Sequence, residues 1–366
     1  MKVLIVQRAL PQYRVDFYNG LRDQLARKGI ELTLVYGKLK NKDSLKKDEV
    51  DIEWATYVES KIFTLLGVEL YWQPCLSFLN GQQMVIVEQA NKNLLNYILM
   101  FRRFFSSMKL GYWGHGRNMQ ADANALGNRF KKFFTNKCNW WFAYTQGVKN
   151  VIMDQSFPAE KITVVQNAID TRALVSAYDA LDAQSLVQLR EELGITSHNV
   201  AIYCGGIYKE KRIEFLIEAC DKTRQQIKDF QILIIGSGPD MDIIYEAQKT
   251  RDWIHYIGPK FGLERVKYFQ LASLFLLPGA VGLAVLDAFA LRTPMITTEF
   301  PYHGPEIEYL ENGVNGLITQ NSLKSYASGI RPVLLLHRSR RTVALGRSTL
   351  SEQTTHFPCK YILKNP

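Results

Sequence analysis

The chain has 366 residues, which is long for one domain and enough for two domains with separate hydrophobic cores. An apolar fraction of 47% and a charged fraction of 22% exclude a disordered chain, a collagen and a small disulfide scaffold. No apolar run reaches the roughly 18 residues that a membrane span needs, and residues 1–7 favour a strand over a signal peptide. The net charge of +10 favours an anionic partner, such as nucleic acid, a phosphorylated substrate or an anionic membrane.

The excess positive charge is concentrated in two parts of the chain. Residues 1–170 carry a net charge of +8, residues 171–322 carry −5, and residues 323–366 carry +7. No helix-turn-helix pattern, Cys/His finger or RNP signature accompanies the basic parts, so nucleic acid is not an expected partner. The five cysteines include no C-x-x-C pair, which suits a reducing cytosol and argues against structural zinc.

Strands and helices alternate along the chain in two runs. The first run has predicted strands at 3–7, 32–36, 84–88, 110–113, 140–145 and 162–166, with amphipathic segments at 13–28 and 93–105. Residues 38–51 are predicted to form a charged loop, and the polar stretch 170–188 to join the two runs. The second run has strands at 200–204, 231–235, 254–257, 274–277 and 295–298, with helices at 213–223, 241–249, 263–272 and 283–291.

Apolar strands that alternate with helices predict parallel sheets covered on both faces. Two such runs predict an α/β protein of two doubly wound Rossmann-like domains that face each other across a cleft. In this architecture ligands bind at the carboxyl ends of the strands, so the loops after the strands should carry the chemistry.

The loop after the strand at 200–204 combines glycines with basic residues. Gly205 and Gly206 let backbone amides approach a ligand, and the following helix start with Lys211 would favour a phosphate. The Walker ending G-K-[ST] is absent. The same residues also fit a tight turn followed by a solvated run of charges.

Two further loops of the second run show weaker signals. Residues 236–239 read Gly-Ser-Gly-Pro, which by itself predicts only a turn. Residues 278–289 place Asp287 in the early turns of a helix. There the carboxylate could accept hydrogen bonds from sugar hydroxyls, or it could simply be a solvated acid near the helix start.

Exposed polar residues also follow strands of the first run. His115 stands between two glycines just past a strand, a context that favours function over a structural histidine. Arg8, Tyr13 and Arg14 follow the first strand and should lie on the same cleft side.

Several of these segments, in order, resemble the GT-B fold glycosyltransferases of the family-4 type, which include bacterial surface-polysaccharide and lipopolysaccharide sugar transferases. Residues 164–170 resemble the N-G-[IV]-D end of the first domain in that family, and residues 205–211 resemble its G-R-x-x-x-E-K loop. Residues 236–239 resemble its G-x-G-P turn, and residues 278–288 its E-G-F-G-L-x-x-x-E-A segment. The chain also resembles polysaccharide-pathway members at Tyr13, Arg14, Phe17 and residues 114–116.

The resemblance implies an acceptor domain at 1–170, a donor domain at 171–345 and a tail at 346–366 that returns toward the first domain. It implies transfer from a nucleotide-diphosphate-sugar with retained configuration, with no metal or other cofactor. The implied catalytic residues are His115, Lys211 and Asp287. The implied donor-binding residues are Gly205, Gly206, Arg212, Gly236, Gly238, Lys260, Phe261, Gly282 and Leu283. Acceptor-side residues are Arg8, Tyr13, Arg14 and Arg117.

Two positions depart from the family pattern. Gly279 stands where the family has the first acid of its E-x7-E pair, and Gly206 stands where it has the phosphate-loop arginine. Arg212 or Lys209 could supply the missing cation.

Basic and aromatic residues alternate within the segment 89–137, which holds nine basic residues and one acidic residue. This pattern suits an anionic lipid surface, although the phenylalanines could instead belong to the core. The predicted membrane patch consists of Arg102, Arg103, Lys131 and Lys132. It implies a cytoplasmic protein that binds peripherally to the inner face of the membrane and acts on a lipid-linked or oligosaccharide acceptor.

Two alternatives stay open on the sequence. The chain could be a non-catalytic GT-B protein that binds a nucleotide sugar or an assembly partner, or it could be a nucleotide-sugar epimerase. A nicotinamide oxidoreductase is disfavoured, because no G-x-G-x-x-G follows the first strand.

Overall fold

The computed structural model describes residues 1–38, 50–65, 68–116 and 137–344, with side chains described through Leu334. The chain divides into two compact units between Asp170 and Thr171. Each unit is built on a parallel sheet with α-helices between its strands, so the predicted doubly wound α/β architecture is confirmed. The predicted C-terminal tail and most of the predicted loop at 38–51 lie outside the described residues.

The first unit contains a seven-stranded parallel sheet of strand order β3-β2-β1-β6-β7-β8-β9. Its strands are β1 (Lys2–Gln7), β2 (Glu31–Tyr36), β3 (Thr56–Tyr57), β4 (Lys61–Leu65), β5 (Val68–Trp72), β6 (Met84–Glu88), β7 (Lys109–Gly114), β8 (Trp140–Ala143) and β9 (Ile162–Val164). Its described α-helices are α1 (Val15–Ala26), α2 (Leu94–Arg102) and α3 (Gln146–Met153). Leu21 and Leu25 lie one helical turn apart on α1 and are buried, as the helical period predicts.

An antiparallel hairpin of β4 and β5 stands outside this sheet and was not predicted. Its register pairs Phe63 with Leu70 and Leu65 with Val68. Phe63, Leu65 and Val68 are all exposed. The sequence signal failed here because neither strand is a continuous apolar run.

The second unit contains a six-stranded parallel sheet of order β12-β11-β10-β13-β14-β15. Its strands are β10 (Val200–Cys204), β11 (Gln231–Ile235), β12 (Ile254–Gly258), β13 (Leu274–Leu276), β14 (Met295–Thr298) and β15 (Gly316–Thr319). Its α-helices are α4 (Arg172–Ala180), α5 (Ala183–Glu192), α6 (Ile213–Gln226), α7 (Met241–Gln248), α8 (Val266–Leu271), α9 (Ala284–Ala290) and α10 (Leu323–Ala344).

Residues 170–188, read from the sequence as a polar join, are largely helical. Helices α4 and α5 bury Leu174, Tyr178 and Leu189 within the second unit. Among the helices of the described ranges, none has both the length and the apolar character required to cross a bilayer.

Candidate functional site

Two glycine-containing loops of the second unit pack directly against each other beyond β10 and β11. A Cβ atom on Gly236 would lie 1.8 Å from the Gly205 carbonyl oxygen, and one on Gly238 would lie 2.0 Å from the Ile207 carbonyl oxygen. The Ile207 amide donates a hydrogen bond of 2.9 Å to the Ser237 carbonyl. Glycine is required at both positions because the two backbones approach too closely for any side chain.

Lys211 joins the first glycine loop to the loop after β13. It ends a short 3-10 turn and is only 8% exposed. Its Nζ donates a hydrogen bond of 2.5 Å to the Ala280 carbonyl and lies 5.5 Å from the centre of the Tyr208 ring. The structure therefore places Lys211 inside the loop cluster and not on a solvated face.

Arg212 contacts different groups from those that Lys211 contacts. Its backbone is left-handed, with φ of 59° at the start of α6, and its guanidinium lies 4.0 Å from the centre of the Phe215 ring. Nη1 donates to the Asn321 side chain at 2.6 Å and to the Pro278 carbonyl at 3.3 Å. These contacts bind Arg212 to neighbouring loops of the unit.

The two positions that depart from the family pattern are both occupied by neighbouring groups. A Cβ atom on Gly279 would lie 2.1 Å from the Glu210 carbonyl oxygen, which already accepts a hydrogen bond from the Ala280 amide. A Cβ atom on Gly206 would lie 2.7 Å from the Tyr208 ring. In this loop conformation an acid at 279 has no room beside the backbone, and an arginine at 206 requires the Tyr208 ring to move.

Asp287 is buried and forms an ion pair with Arg265, which precedes α8. Arg265 Nη1 donates to Asp287 Oδ2 at 2.6 Å, and the two side chains are 20% and 8% exposed. Burial raises the pKa of Asp287 to about 6, and the positive charge of Arg265 opposes that rise. Asp287 Oδ1 is buried with no hydrogen-bond partner among the described residues.

A ribose hydroxyl would therefore reach Asp287, as the resemblance implies, only after a rearrangement. Arg265 was not among the predicted site residues, because no sequence motif marks it. The Arg265 guanidinium also acts electrostatically on the Cys204 thiol, whose pKa is raised by burial and lowered in part by this arginine. Arg265 is thereby placed next to the end of β10, immediately before the glycine loop.

The remaining predicted donor-binding residues lie at or near the surface. Gly282 has open space where a Cβ atom would stand, and Leu283 is half-buried at the start of α9. Lys260 is half-buried and Phe261 is exposed. A groove of about 220 Å³ shares only Lys260 with the predicted donor residues, so its position differs from that of the glycine loops.

His303 holds the loop after β13 in place through both ring nitrogens. The Val281 amide donates to its Nδ1 at 3.0 Å, and its Nε2 lies 2.8 Å from the Thr298 carbonyl. Nε2 therefore carries the proton, because a carbonyl only accepts. Burial lowers the pKa of His303, the hydrogen bond to the Thr298 carbonyl opposes this shift, and the nearby Lys211 charge lowers the pKa further.

In the first unit, Arg14 lies in a cluster of aromatic rings. Its guanidinium carbon is 5.2 Å from the centre of the Trp113 ring, 5.5 Å from that of Tyr144 and 5.6 Å from that of Tyr13. Nη2 donates to the Tyr144 hydroxyl at 2.7 Å. Burial opposes the charge on Arg14, but the phenol oxygens of Tyr144, Tyr13 and Tyr18 favour it, and the pKa of Arg14 stays well above its usual value.

His115 adjoins this cluster just beyond β7. Its side chain is exposed, and its ring centre lies 4.6 Å from that of Tyr144 in an edge-to-face arrangement. The flanking Gly116 has φ of 65°, a left-handed conformation that glycine adopts readily. Arg8 lies over the Tyr71 ring at 5.0 Å, and Arg117 lies outside the described residues.

Only part of the predicted membrane patch is described. Phe104 and Phe105 are 66% and 88% exposed, and Arg102 is exposed, so these rings are not core residues. Arg103 is half-buried and stacks at 4.8 Å from the centre of the Phe104 ring. Lys131 and Lys132 fall outside the described ranges.

Within those ranges, no three His, Cys, Asp or Glu side chains come together in a way that could hold a metal ion. The cysteines in the same part of the chain are all buried and free of disulfide bonds, namely Cys75, Cys138, Cys204 and Cys220.

The second unit also matches a known family model. Residues 198–335 match the model described as glycosyl transferases group 1. These residues form a glycosyl transferases group 1 domain. The match covers the glycine loops, Lys211, the Arg265–Asp287 pair and His303.

The whole chain is similar to solved glycosyltransferase structures. The apo form of the lipopolysaccharide outer core galactosyltransferase WaaB gives a TM-score of 0.64 at 15% identity, with 99% of this chain and 98% of that chain covered. The Anabaena HepE protein in complex with UDP and glucose gives a TM-score of 0.64 at 15% identity, covering 99% and 95%. These similarities identify the fold of the chain as GT-B.

A curated relative is similar over part of its length. The alpha-monoglucosyldiacylglycerol synthase of Acholeplasma laidlawii is 26% identical over 203 residues, which are 53% of this chain and 49% of the relative. The match thus spans about half the length of that relative.

Proposed function

We propose that the chain is a glycosyltransferase that moves a sugar from a nucleotide-diphosphate-sugar donor to a lipid-linked or polysaccharide acceptor with retained configuration. One observation carries this proposal. Lys211, within the group 1 domain, is buried between the two loops that should surround a diphosphate, with its Nζ 2.5 Å from the Ala280 carbonyl. Surface-polysaccharide assembly is the pathway that we propose.

In the proposed reaction, the bond between the anomeric carbon and the diphosphate oxygen breaks. A bond from an acceptor hydroxyl oxygen to that carbon forms on the same face, and the hydroxyl proton passes to the departing diphosphate. Negative charge develops on the diphosphate, so a fixed ammonium group and glycine amides stabilise the transition state. Lys211 and the amides near Gly205 and Gly282 are suited to this role without a metal.

The first unit would bind the acceptor. His115 is exposed beyond β7, and Arg8 and Tyr13 follow β1, at the edge of the sheet that this unit would offer to the acceptor. The name of the Acholeplasma relative describes the synthesis of a glucosylated diacylglycerol, which supports a lipid-type acceptor. The UDP held by the HepE structure supports a nucleotide-sugar donor.

The test is turnover of a panel of nucleotide-diphosphate-sugars, with release of the nucleoside diphosphate as the readout. Lys211→Met should lower kcat by about 10²- to 10³-fold, because one fixed charge at the leaving group is lost. Lys222→Met is the matched control, since Lys222 is an exposed lysine of α6 to which no role in donor binding is assigned. Equal turnover in the two variants would contradict the assignment of Lys211 to the diphosphate.

We also propose that the protein binds an anionic membrane surface through Phe101, Arg102, Phe104 and Phe105. The three rings are strongly exposed at the end of α2 beside a basic side chain, a combination that suits the headgroup region. Sedimentation with vesicles containing an anionic lipid at low salt should retain the protein. Phe104→Ser with Phe105→Ser should abolish retention, whereas Tyr245→Ser, an exposed ring of the second unit, should not.

A non-catalytic nucleotide-sugar binder is the second candidate, favoured by the closed space at Gly279 and Gly206. The same panel separates the two functions. Binding of a nucleotide sugar without release of nucleoside diphosphate, across acceptors that include anionic lipids, would support the binder. Conversion of the donor to an epimer in the absence of an acceptor would instead indicate an epimerase. The chain is similar to a solved epimerase structure, but that similarity shows the fold alone.

A further inference from the structure

Arg14 is a buried cation that has no acidic partner among the described residues. Arg14 is only 8% exposed, and no carboxylate in the described ranges forms an ion pair with it. The hydroxyls of Tyr144 and Tyr13 accept from Nη2 and Nε, at 2.7 and 3.4 Å. A guanidinium carries further N–H groups, and a buried charge without a counter-charge is costly.

A second buried donor lies in the same cluster. Trp113 is buried, its ring faces the Arg14 guanidinium at 5.2 Å, and its Nε1 has no hydrogen-bond partner among the described residues. Buried donors of this kind are normally satisfied by protein, water or ligand. The cluster therefore has an excess of hydrogen-bond donors and a net positive charge.

The position of the cluster favours ligand binding over a purely structural role. Arg14 follows β1, Trp113 lies at the end of β7 and Tyr144 follows β8, so all three stand at the carboxyl edge of the parallel sheet. Helix α1 begins at Val15 with no side chain capping its first amides. The exposed His115 ring packs edge-to-face on Tyr144 and borders the cluster.

Charged groups around the cluster do not neutralise Arg14. Glu88, at the end of β6, acts electrostatically on the Tyr144 phenol but forms no ion pair with the arginine. Asp16 is exposed on the first turn of α1. Neither carboxylate is hydrogen-bonded to the guanidinium in the structure.

We infer that the Arg14 cluster, formed by Arg14, Trp113, Tyr144 and Tyr13, binds a phosphoryl or carboxylate group of the acceptor substrate. The inference deepens the proposed function and rests on it for the word acceptor. The oxyanion would accept hydrogen bonds from the guanidinium and from Trp113 Nε1, the buried donor that has no partner among the described residues. Arginine suits this role because its planar fork matches phosphate and carboxylate oxygens.

The test uses inorganic phosphate as the probe and does not depend on transferase activity. Tryptophan fluorescence of the full chain is titrated with phosphate in the Lys211→Met background, which weakens the other expected phosphate site. We expect a saturable change that disappears in Trp113→Phe and weakens at least tenfold in Arg14→Gln. Arg22→Gln is the matched control, because Arg22 also stacks on a ring, that of Trp54 at 4.8 Å, but at the surface.

Arg14→Lys is a second variant that keeps the inference testable if Arg14→Gln does not fold, since lysine keeps the charge but lacks the planar fork. It should bind phosphate several-fold more weakly than the parent, and circular dichroism checks its fold. Titration with acetate separates the two oxyanions, because a carboxylate site would respond to acetate as strongly as to phosphate. A saturable signal of equal affinity in the parent, Arg14→Gln and Arg22→Gln, or no saturable signal in the parent, would overturn the inference.

A second measurement links the site to the acceptor. In transfer assays, Arg14→Lys should raise the KM for the acceptor at least tenfold and leave the KM for the donor within twofold. A purely structural Arg14 would change both constants together. If no transfer occurs in any form of the protein, the proposed function fails, while the phosphate titration still decides whether the Arg14 cluster binds an oxyanion.

Discussion

In the second unit, Lys211 and Arg265 bind oxygen atoms of the protein, the Ala280 carbonyl at 2.5 Å and the Asp287 carboxylate at 2.6 Å. In the first unit, Arg14 is surrounded by rings and phenol hydroxyls. Both sites lie beyond the carboxyl ends of parallel strands. The difference teaches that Lys211 and Arg265 are held by acceptors of the protein itself, whereas Arg14 has no anionic partner among the described residues.

The largest expected effect tests how closely the loops of the second unit depend on each other. Gly279→Ala would bring a Cβ atom to 2.1 Å from the Glu210 carbonyl oxygen, and should lower the free energy of unfolding by about 3 kcal/mol. Gly282→Ala, with open space at the same position, should change it by less than about 0.5 kcal/mol. Urea unfolding measures both, and equal losses would show that the loops have room to adjust.

The second-largest expected effect concerns the Arg265–Asp287 ion pair, which distinguishes the site of the second unit from the Arg14 cluster. Arg265→Met leaves the buried Asp287 carboxylate without its partner and should destabilise the protein by about 2 kcal/mol at pH 8. The loss should be smaller at pH 5, because Asp287, with its pKa raised to about 6 even beside Arg265, then takes up a proton.

Arg251→Met is the control for that variant. Arg251 forms an ion pair with Asp221 in which the two side chains are 29% and 35% exposed, so the pair should contribute less than about 1 kcal/mol. Comparable losses for Arg251→Met and Arg265→Met at pH 8 would mean that burial does not strengthen the Arg265–Asp287 pair.

A pH dependence of about the same size follows from Asp287 alone. Its pKa is raised in the folded state, so the contribution of this group to stability is present at low pH and is lost as the pH rises through about 6. Asp287→Asn removes that dependence. Between pH 5 and pH 8 the variant should therefore gain about 1.4 kcal/mol relative to the parent. Parallel stability curves for the two proteins would contradict the raised pKa.

The smallest expected effect concerns the first unit. Tyr144→Phe removes the hydroxyl that accepts from Arg14 at 2.7 Å, and should cost about 1 kcal/mol in the free energy of unfolding. The rings of Trp113 and Tyr13 would remain. A loss above about 3 kcal/mol would show instead that Arg14 depends on this one hydroxyl.

Much of the fold follows from the apolar pattern of the sequence. The predicted strands at 84–88, 200–204, 231–235 and 295–298 have the same ends as β6, β10, β11 and β14. Buried parallel strands are continuous apolar runs, and such runs have sharp ends. The β4–β5 hairpin was missed because neither strand is a continuous apolar run. Helices α4 and α5 were missed because they bury only two and one side chains, so their apolar stripes are weak.

The candidate site was predictable only where it is local in sequence. Glycines and Lys211 stand within one loop, and their spacing drew attention to it. The Arg265–Asp287 pair joins residues 22 positions apart, and the Arg14–Tyr144 contact joins residues 130 apart. No spacing rule connects such residues, since the sheet brings them together. Likewise, only the structure shows that the Glu210 carbonyl fills the space beside Gly279.

Binding of a nucleoside diphosphate, measured by isothermal titration calorimetry, tests the central claim most directly. The full chain, Lys211→Met and Lys222→Met are compared with UDP and with the other common nucleoside diphosphates. The account predicts that Lys211→Met binds at least about tenfold more weakly than the parent, while Lys222→Met stays within twofold. Equal affinity in all three proteins would contradict the claim that Lys211 and the glycine loops of the second unit hold the diphosphate.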